Sequence, residues 1–177
     1  MKIKNLIIPL FVALAFVACE DKDEKEELEE QPQAELKANY DAPFTLSLTN
    51  GESIFMKKRG EDFEIEGNGR ATLFVFFTTW CQPCKAQMAY LPDLQTKFEK
   101  DLRVVGVLME DGEDANNSNL NFPIASGESV FFFAKAAGDV SGLPYMLLLS
   151  AEGERLCDFE GLMPIEMLEA EIKKAVL

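Results

Sequence analysis

The sequence feature that most constrains the fold is a short apolar run that leads directly into two closely spaced cysteines. Residues 73–77 read LFVFF and are followed by TTWCQPCK, residues 78–85. A continuous apolar run predicts a central strand covered on both faces. If Cys81 lies in the first turn of the next helix, unpaired backbone N–H groups and the helix dipole favour its thiolate. Cys84 then lies about 5–6 Å away between Cβ atoms, and the pair predicts thiol–disulfide exchange, in which one cysteine attacks and the other resolves.

Composition excludes several other kinds of chemistry. The 177 residues, 47% of them apolar, suffice for one domain with appendages. Because the chain contains no histidine, Ser-His-Asp hydrolysis, Cys-His proteolysis, His-ligated haem and mixed Cys/His zinc sites are excluded. The net charge of −14 argues against a nucleic-acid partner, since phosphate binding needs the opposite sign. Of the four cysteines only the middle pair is closely spaced, which does not indicate a disulfide-stapled miniature fold.

The N-terminus has the pattern of a secretory leader. Lys2 and Lys4 precede the apolar residues 6–18, and Cys19 follows. This stretch is shorter than the ~18–20 residues needed to span a bilayer. Its ending resembles a bacterial lipobox, in which the cysteine is diacylated and becomes the mature N-terminus, although a phenylalanine stands where leucine is usual. We predict a signal peptide over residues 1–18 and a lipid on Cys19. Cleavage after residue 15, releasing a soluble protein, and an uncleaved anchor remain alternatives.

An acidic segment separates this leader from the folded part. Residues 20–30 contain eight acidic residues, two lysines and one leucine, so they cannot bury a core face. Residues 19–39 are predicted to be a tether beginning at the lipidated cysteine, and a plain solubility segment explains the composition equally well. The folded domain is predicted to occupy residues 40–177.

The remaining pattern alternates strands and helices. Residues 44–48, 53–56 and 63–65 predict an N-terminal β-hairpin region, with a turn at residues 49–51. After the cysteines, apolar residues at three- and four-residue steps predict one amphipathic helix kinked at Pro92. Residues 102–109 then form a second buried strand, and the resulting right-handed βαβ unit places the cysteines at a carboxyl strand end.

The C-terminal half continues with further elements. A polar insertion spans residues 110–121, and a helix is predicted over residues 128–137. An antiparallel hairpin is predicted over residues 145–149 and 155–159, followed by a closing amphipathic helix from Ile165 to Val176. Cys157 falls within this hairpin and is predicted to be a buried apolar residue.

The order of elements resembles the thioredoxin fold, an α/β three-layer sandwich with a mixed central sheet flanked by helices, here with an N-terminal β-hairpin extension. Residues 80–85, WCQPCK, look like its W-C-x-P-C-K active site, and residues 140–145, VSGLPY, look like its cis-proline loop. The hairpin at residues 50–51, residues 122–124 and the turn at residues 151–154 look more like the extracytoplasmic TlpA/ResA group. The resemblance covers residues 43–177.

This resemblance implies roles for individual residues. Cys81 would be the attacking thiol and Cys84 the resolving thiol. Pro144 would be a cis-proline facing them, and the backbone of Leu143 would pair with a substrate strand. The remaining residues that shape the site are Trp80, Gln82 and Pro83. Trp80 would shield one side of the thiols, with an ordinary core aromatic as the alternative, and Pro83 suits a helix start whatever the function.

Two positions depart from the family pattern. Val75 stands where thioredoxin has a buried aspartate that accepts a proton from the resolving thiol, and Gln87 stands where haem-maturation relatives have a glutamate. The proton acceptor for Cys84 is therefore left to water or to another acid such as Glu110.

The resulting interpretation is a monomeric, lipid-anchored thiol–disulfide oxidoreductase on the periplasmic side of the bacterial envelope. It would reduce protein disulfides, including those of apocytochrome c, and would receive electrons from a membrane thiol donor. No metal and no cofactor beyond the Cys81–Cys84 disulfide are predicted. A copper or zinc carrier that uses the same two cysteines as ligands is an alternative from another class, and a thiol peroxidase is a third.

Overall fold

The computed structural model describes residues 39–67, 69–110 and 120–176, and these ranges contain eight strands and four helices. The strands are β1 (Phe44–Ser47), β2 (Ser53–Arg59), β3 (Asp62–Ile65), β4 (Ala71–Phe77), β5 (Leu102–Leu108), β6 (Ile124–Ala125), β7 (Tyr145–Leu149) and β8 (Arg155–Glu160). The helices are α1 (Gln82–Met88), α2 (Leu91–Lys97), α3 (Glu128–Ala136) and α4 (Ile165–Val176). The predicted signal peptide, Cys19, nearly all of the predicted tether and most of the predicted insertion lie outside the described residues.

The main sheet is mixed and has the strand order β6-β5-β4-β7-β8. Strand β4 lies at its centre, parallel to β5 and antiparallel to β7, and all seven of its residues are buried. Alternate side chains of β4 enter two cores, because successive residues of a strand point to opposite faces. Leu73 and Val75 pack on the side of α1, α2 and α4, whereas Phe74 and Phe76 pack on the side of α3. The predicted three-layer α/β architecture is confirmed.

The N-terminal extension is a three-stranded antiparallel sheet with the order β1-β2-β3, one strand more than a simple hairpin. Its buried side chains join the core on the α3 side of the main sheet. Phe133 of α3 is central to this core, where its ring contacts those of Phe63, Phe74 and Phe76 at centroid distances of 5.5, 4.8 and 5.0 Å. Aromatic packing therefore joins the extension to the main sheet.

The helix after the cysteines differs from the prediction. A single kinked helix was expected, but α1 ends at Met88 and a separate helix, α2, begins at Leu91. Pro92 lies in the first turn of α2, where its missing N–H costs nothing. In one continuous helix, Pro92 would lack the N–H that bonds to the carbonyl of Met88, and its ring would clash with that carbonyl. We attribute the break between the two helices to this effect. Met88, Leu91 and Leu94 nevertheless form the predicted buried stripe.

The elements after β5 agree with the sequence pattern. Helix α3, the antiparallel pair β7–β8 and helix α4 fall within one or two residues of their predicted bounds. Within the described ranges, no helix is long and apolar enough to span a membrane.

Candidate active site

The two cysteines lie where β4 gives way to α1 at the carboxyl end of the central strand. They are joined by a disulfide with a Cα–Cα distance of 5.2 Å. Cys81 is the N-cap of α1 rather than a residue of its first turn, and Pro83 follows within that turn. The pair therefore occupies the predicted position, where the N-terminus of α1 lies at the carboxyl end of the central strand.

The environments of the two sulfur atoms are unequal. Cys81 is 7% exposed and Cys84 is 0% exposed. The backbone N–H of Cys84 donates to the Sγ of Cys81 at 3.1 Å. In the reduced protein this donor and the helix dipole favour a thiolate on Cys81, because both stabilise negative charge at a helix N-terminus. The more accessible sulfur is thus also the one held at the helix N-terminus.

The proline loop lies against this pair. The Leu143–Pro144 peptide bond is cis, and the carbonyl oxygen of Leu143 lies 3.9 Å from the Sγ of Cys81. Gly142 is packed under the side chain of Glu160, whose Oε1 would lie 2.1 Å from a Cβ added at this glycine. A residue larger than glycine would therefore displace the Glu160 side chain, which contacts the loop beside the cysteines.

The other residues of the predicted site lie at the surface. Gln82 and Pro83 are exposed, and Trp80 is 72% exposed. The alternative that Trp80 is a core aromatic is therefore wrong. Trp80 directly precedes Cys81 in the sequence, and its indole ring is exposed to solvent.

The structure places each of the positions considered for proton transfer. Val75 is fully buried in β4, and Gln87 is buried on α1. Glu110 follows β5, and its carboxylate accepts hydrogen bonds from both the backbone N–H and the hydroxyl of Thr79. Glu110 therefore fastens the segment that leads from β4 to Cys81. Sequence reasoning missed this contact, although Thr79 and Glu110 follow neighbouring parallel strands, whose carboxyl ends meet.

Cys157 is the free cysteine of the described residues and lies on β8. The prediction was a buried apolar residue; Cys157 is half-buried, and it packs against the outside of the core that contains the cysteine pair. Burial, with smaller contributions from Glu171 and Asp158, raises the pKa of its thiol from 9.0 to about 11. Cys157 is therefore a neutral thiol at physiological pH.

We expect alkylation of Cys157 by iodoacetamide to be slow in the folded, oxidised protein. Only the thiolate reacts, so at pH 8 the rate should be about 100-fold lower than in the chain unfolded by guanidinium. The rate should rise about tenfold per pH unit up to pH 11. Mass spectrometry of the Cys157 peptide measures both values. A folded-state rate that levels off near pH 9 would contradict the raised pKa.

The same shift predicts a pH dependence of stability. Because the folded-state pKa is raised, the folded state favours the neutral thiol. The contribution of this thiol to the free energy of unfolding is fully present below pH 9, and it is lost as the pH rises from 9 to 11.

Comparison with known proteins identifies the family. A protein-family model, described as a thioredoxin-like domain, matches residues 61–176, which is more than half of the chain. The chain belongs to this thioredoxin-like family. It is 27% identical over 152 residues to the thiol-disulfide oxidoreductase ResA of Bacillus thuringiensis subsp. konkukian, covering 80% of each chain. It is 30% identical over 135 residues to ResA of Bacillus subtilis, covering 72% of this chain and 70% of that protein.

A solved structure agrees with this assignment of the fold. StoA from Bacillus subtilis matches the chain with a TM-score of 0.58 at 24% identity, covering 74% of this chain and 96% of StoA. With relatives named as thiol–disulfide oxidoreductases and a cysteine pair joined by a disulfide, this member of the thioredoxin-like family is a thiol–disulfide oxidoreductase.

Proposed function

We propose that the protein is a membrane-tethered reductase of protein disulfides in the bacterial envelope, with Cys81 as attacking thiol and Cys84 as resolving thiol. The observation that carries the two roles is the unequal burial of the cysteines, since only Cys81 has any exposed surface. A substrate disulfide meets Cys81 first. Cys84 is then within reach of the mixed disulfide, because the two sulfur atoms already form a bond in the structure.

The reaction begins with the dithiol form. The thiolate of Cys81 attacks one sulfur of the substrate disulfide, and the other substrate sulfur leaves as a thiolate that takes up a proton. Cys84 loses its proton to solvent and attacks the Sγ of Cys81, which releases the second substrate sulfur and forms the Cys81–Cys84 disulfide. Two electrons have passed to the substrate. A dithiol donor at the membrane must return them.

The surroundings of the pair suit an extended polypeptide. The carbonyl of Leu143, 3.9 Å from the Sγ of Cys81, places a backbone group next to that cysteine, where it can pair with a substrate strand. Beside the CxxC helix, a mostly apolar groove of about 370 Å³ is lined in part by Phe77, Thr79 and Met88. These features support a protein rather than a small disulfide as the substrate.

The envelope location and the tether are supported by the N-terminal sequence. The charged start, the short apolar stretch and Cys19 fit a lipoprotein leader, and the relatives named ResA support an envelope protein. The resemblance to the TlpA/ResA group also suggests a substrate class, the cysteines of apocytochrome c, which must be reduced before haem attachment. The reducing direction rests on the same resemblance.

The variant Cys84→Ser tests the proposed roles. Without the resolving thiol, the mixed disulfide on Cys81 should accumulate when the reduced variant meets a protein disulfide such as insulin. Acid quenching, alkylation and mass spectrometry would locate the bond. We expect the adduct on Cys81 in most of the protein, and the same procedure in envelope extracts would identify physiological partners.

The variant Cys81→Ser is the matched control. Because Cys84 is buried, it should form little adduct, and a predominant adduct on Cys84 or Cys157 would overturn the assigned roles. The direction is tested by equilibrating the Cys81–Cys84 pair with glutathione. A reduction potential near that of DsbA, about −120 mV, would make the protein an oxidant and contradict the reducing role.

A further inference from the structure

One fully buried polar side chain lies on the CxxC helix and has no part in the exchange steps described above. Gln87 is 0% exposed and follows Cys84 by three residues on α1, so the two lie on the same helix face. Its Oε1 accepts a hydrogen bond of 2.8 Å from the backbone N–H of Met163. Its Nε2 has no hydrogen-bond partner among the described residues.

Because the Nε2 of Gln87 is unpaired within the described part of the chain, we infer that the hydrogen bond accepted by its Oε1 is the reason for a glutamine at this position. A buried amide nitrogen without a partner costs free energy, so an aliphatic side chain would suit position 87 better if packing were its only purpose. What glutamine provides instead is an acceptor, which is used by a backbone group 76 residues away in sequence.

Met163 belongs to the segment of residues 161–163, which forms most of the connection between β8 and α4 and is also attached to the proline loop. The backbone N–H of Gly161 donates to the carbonyl of Pro144 at 2.8 Å. The segment is therefore fixed at one end to the proline loop and at the other end to α1. Between the two attachments, Leu162 is 56% exposed and presents an apolar side chain to solvent.

We propose that Gln87 is a positioning residue for protein substrates. Its side-chain oxygen fixes residues 161–163 between α1 and the proline loop, so that Leu162 contacts the substrate polypeptide next to its disulfide. The proposal rests on the proposed function, because it concerns how the same exchange reaction recognises a protein. A small disulfide reaches Cys81 without this contact, whereas a protein disulfide makes it.

The test compares insulin with oxidised glutathione as substrates of the full chain, with dithiothreitol as the reductant. The variant Gln87→Leu leaves the Met163 N–H without its acceptor and releases the segment. We expect its KM for insulin to rise about fivefold or more, with kcat and the rate with oxidised glutathione unchanged within about twofold. Gln87→Glu keeps an acceptor of the same length and should restore the KM, which is the quantity compared, because a carboxyl three residues after Cys84 changes the proton transfer that enters kcat. Leu162→Ser, at an exposed position, should raise the KM without affecting folding.

Gln95→Leu is the matched control. The side chain of Gln95 likewise links a helix, α2, to the backbone of another element, β5. Its Oε1 accepts a hydrogen bond from the Val104 N–H at 2.6 Å, and its Nε2 donates to the Leu102 carbonyl at 3.2 Å. Its loss should lower stability without changing the KM for insulin. An unchanged KM in either Gln87→Leu or Leu162→Ser, or an equal rise in Gln95→Leu, would overturn the inference. A wild-type protein that fails to reduce insulin would instead overturn the proposed function.

Discussion

Replacement of Cys81 by serine is expected to reduce the turnover of protein disulfides by about a thousandfold or more, the scale seen when a covalent nucleophile is removed. A serine hydroxyl is not ionised at neutral pH and cannot form the mixed disulfide. Cys84 cannot replace it, because its side chain is fully buried within the first turn of α1. Insulin reduction in the presence of dithiothreitol measures the loss.

The control for this prediction is Cys157→Ser, which removes a thiol with a raised pKa that lies on β8 and outside the proposed site. It should retain wild-type turnover within about twofold, the range expected of a substitution away from the chemistry. The fold of Cys81→Ser is best compared with that of reduced wild type, since neither contains the Cys81–Cys84 disulfide. Residual turnover above a tenth of the wild-type rate would show that another thiol starts the reaction.

The sequence predicted the parts of the site that depend on local pattern. The apolar run of β4, the cysteine spacing and the position of Pro83 are all local, and the structure places them together as expected. The cis bond at Pro144 was expected only from the resemblance, because an X–Pro bond is cis in about 5–6% of cases.

The contacts that shape the site could not be predicted in the same way. Gln87 and Met163 are 76 residues apart, and no periodicity indicates that a side-chain oxygen of one will meet the backbone of the other. Trp80 illustrates a second limit, since an aromatic residue beside a buried strand fits a core position and an exposed position equally well. Its exposure is decided by the path of the chain between β4 and α1.

The attachment of the N-terminal extension to the main sheet gives the largest expected effect on stability. Gly153 lies in the turn between β7 and β8 at φ +93°, and its carbonyl accepts a hydrogen bond of 2.9 Å from the Phe63 N–H of β3. A Cβ added at Gly153 would lie 1.8 Å from the Phe63 carbonyl oxygen. Since both groups are backbone, no side-chain rotation relieves the overlap. Gly153→Ala should therefore lower the free energy of unfolding by about 3–5 kcal/mol, as measured by urea denaturation.

Gly51→Ala separates this overlap from simple backbone strain. Gly51 has a similar φ of +83° in the turn between β1 and β2, but a Cβ added there has no atom within 4 Å. It should cost only about 1–2 kcal/mol, the strain of an alanine in the left-handed region. Equal losses in the two variants would mean that β3 does not pack against the β7–β8 turn. A larger loss in Gly153→Ala would show that this turn, on the sheet that carries the cysteines, also holds the N-terminal extension in place.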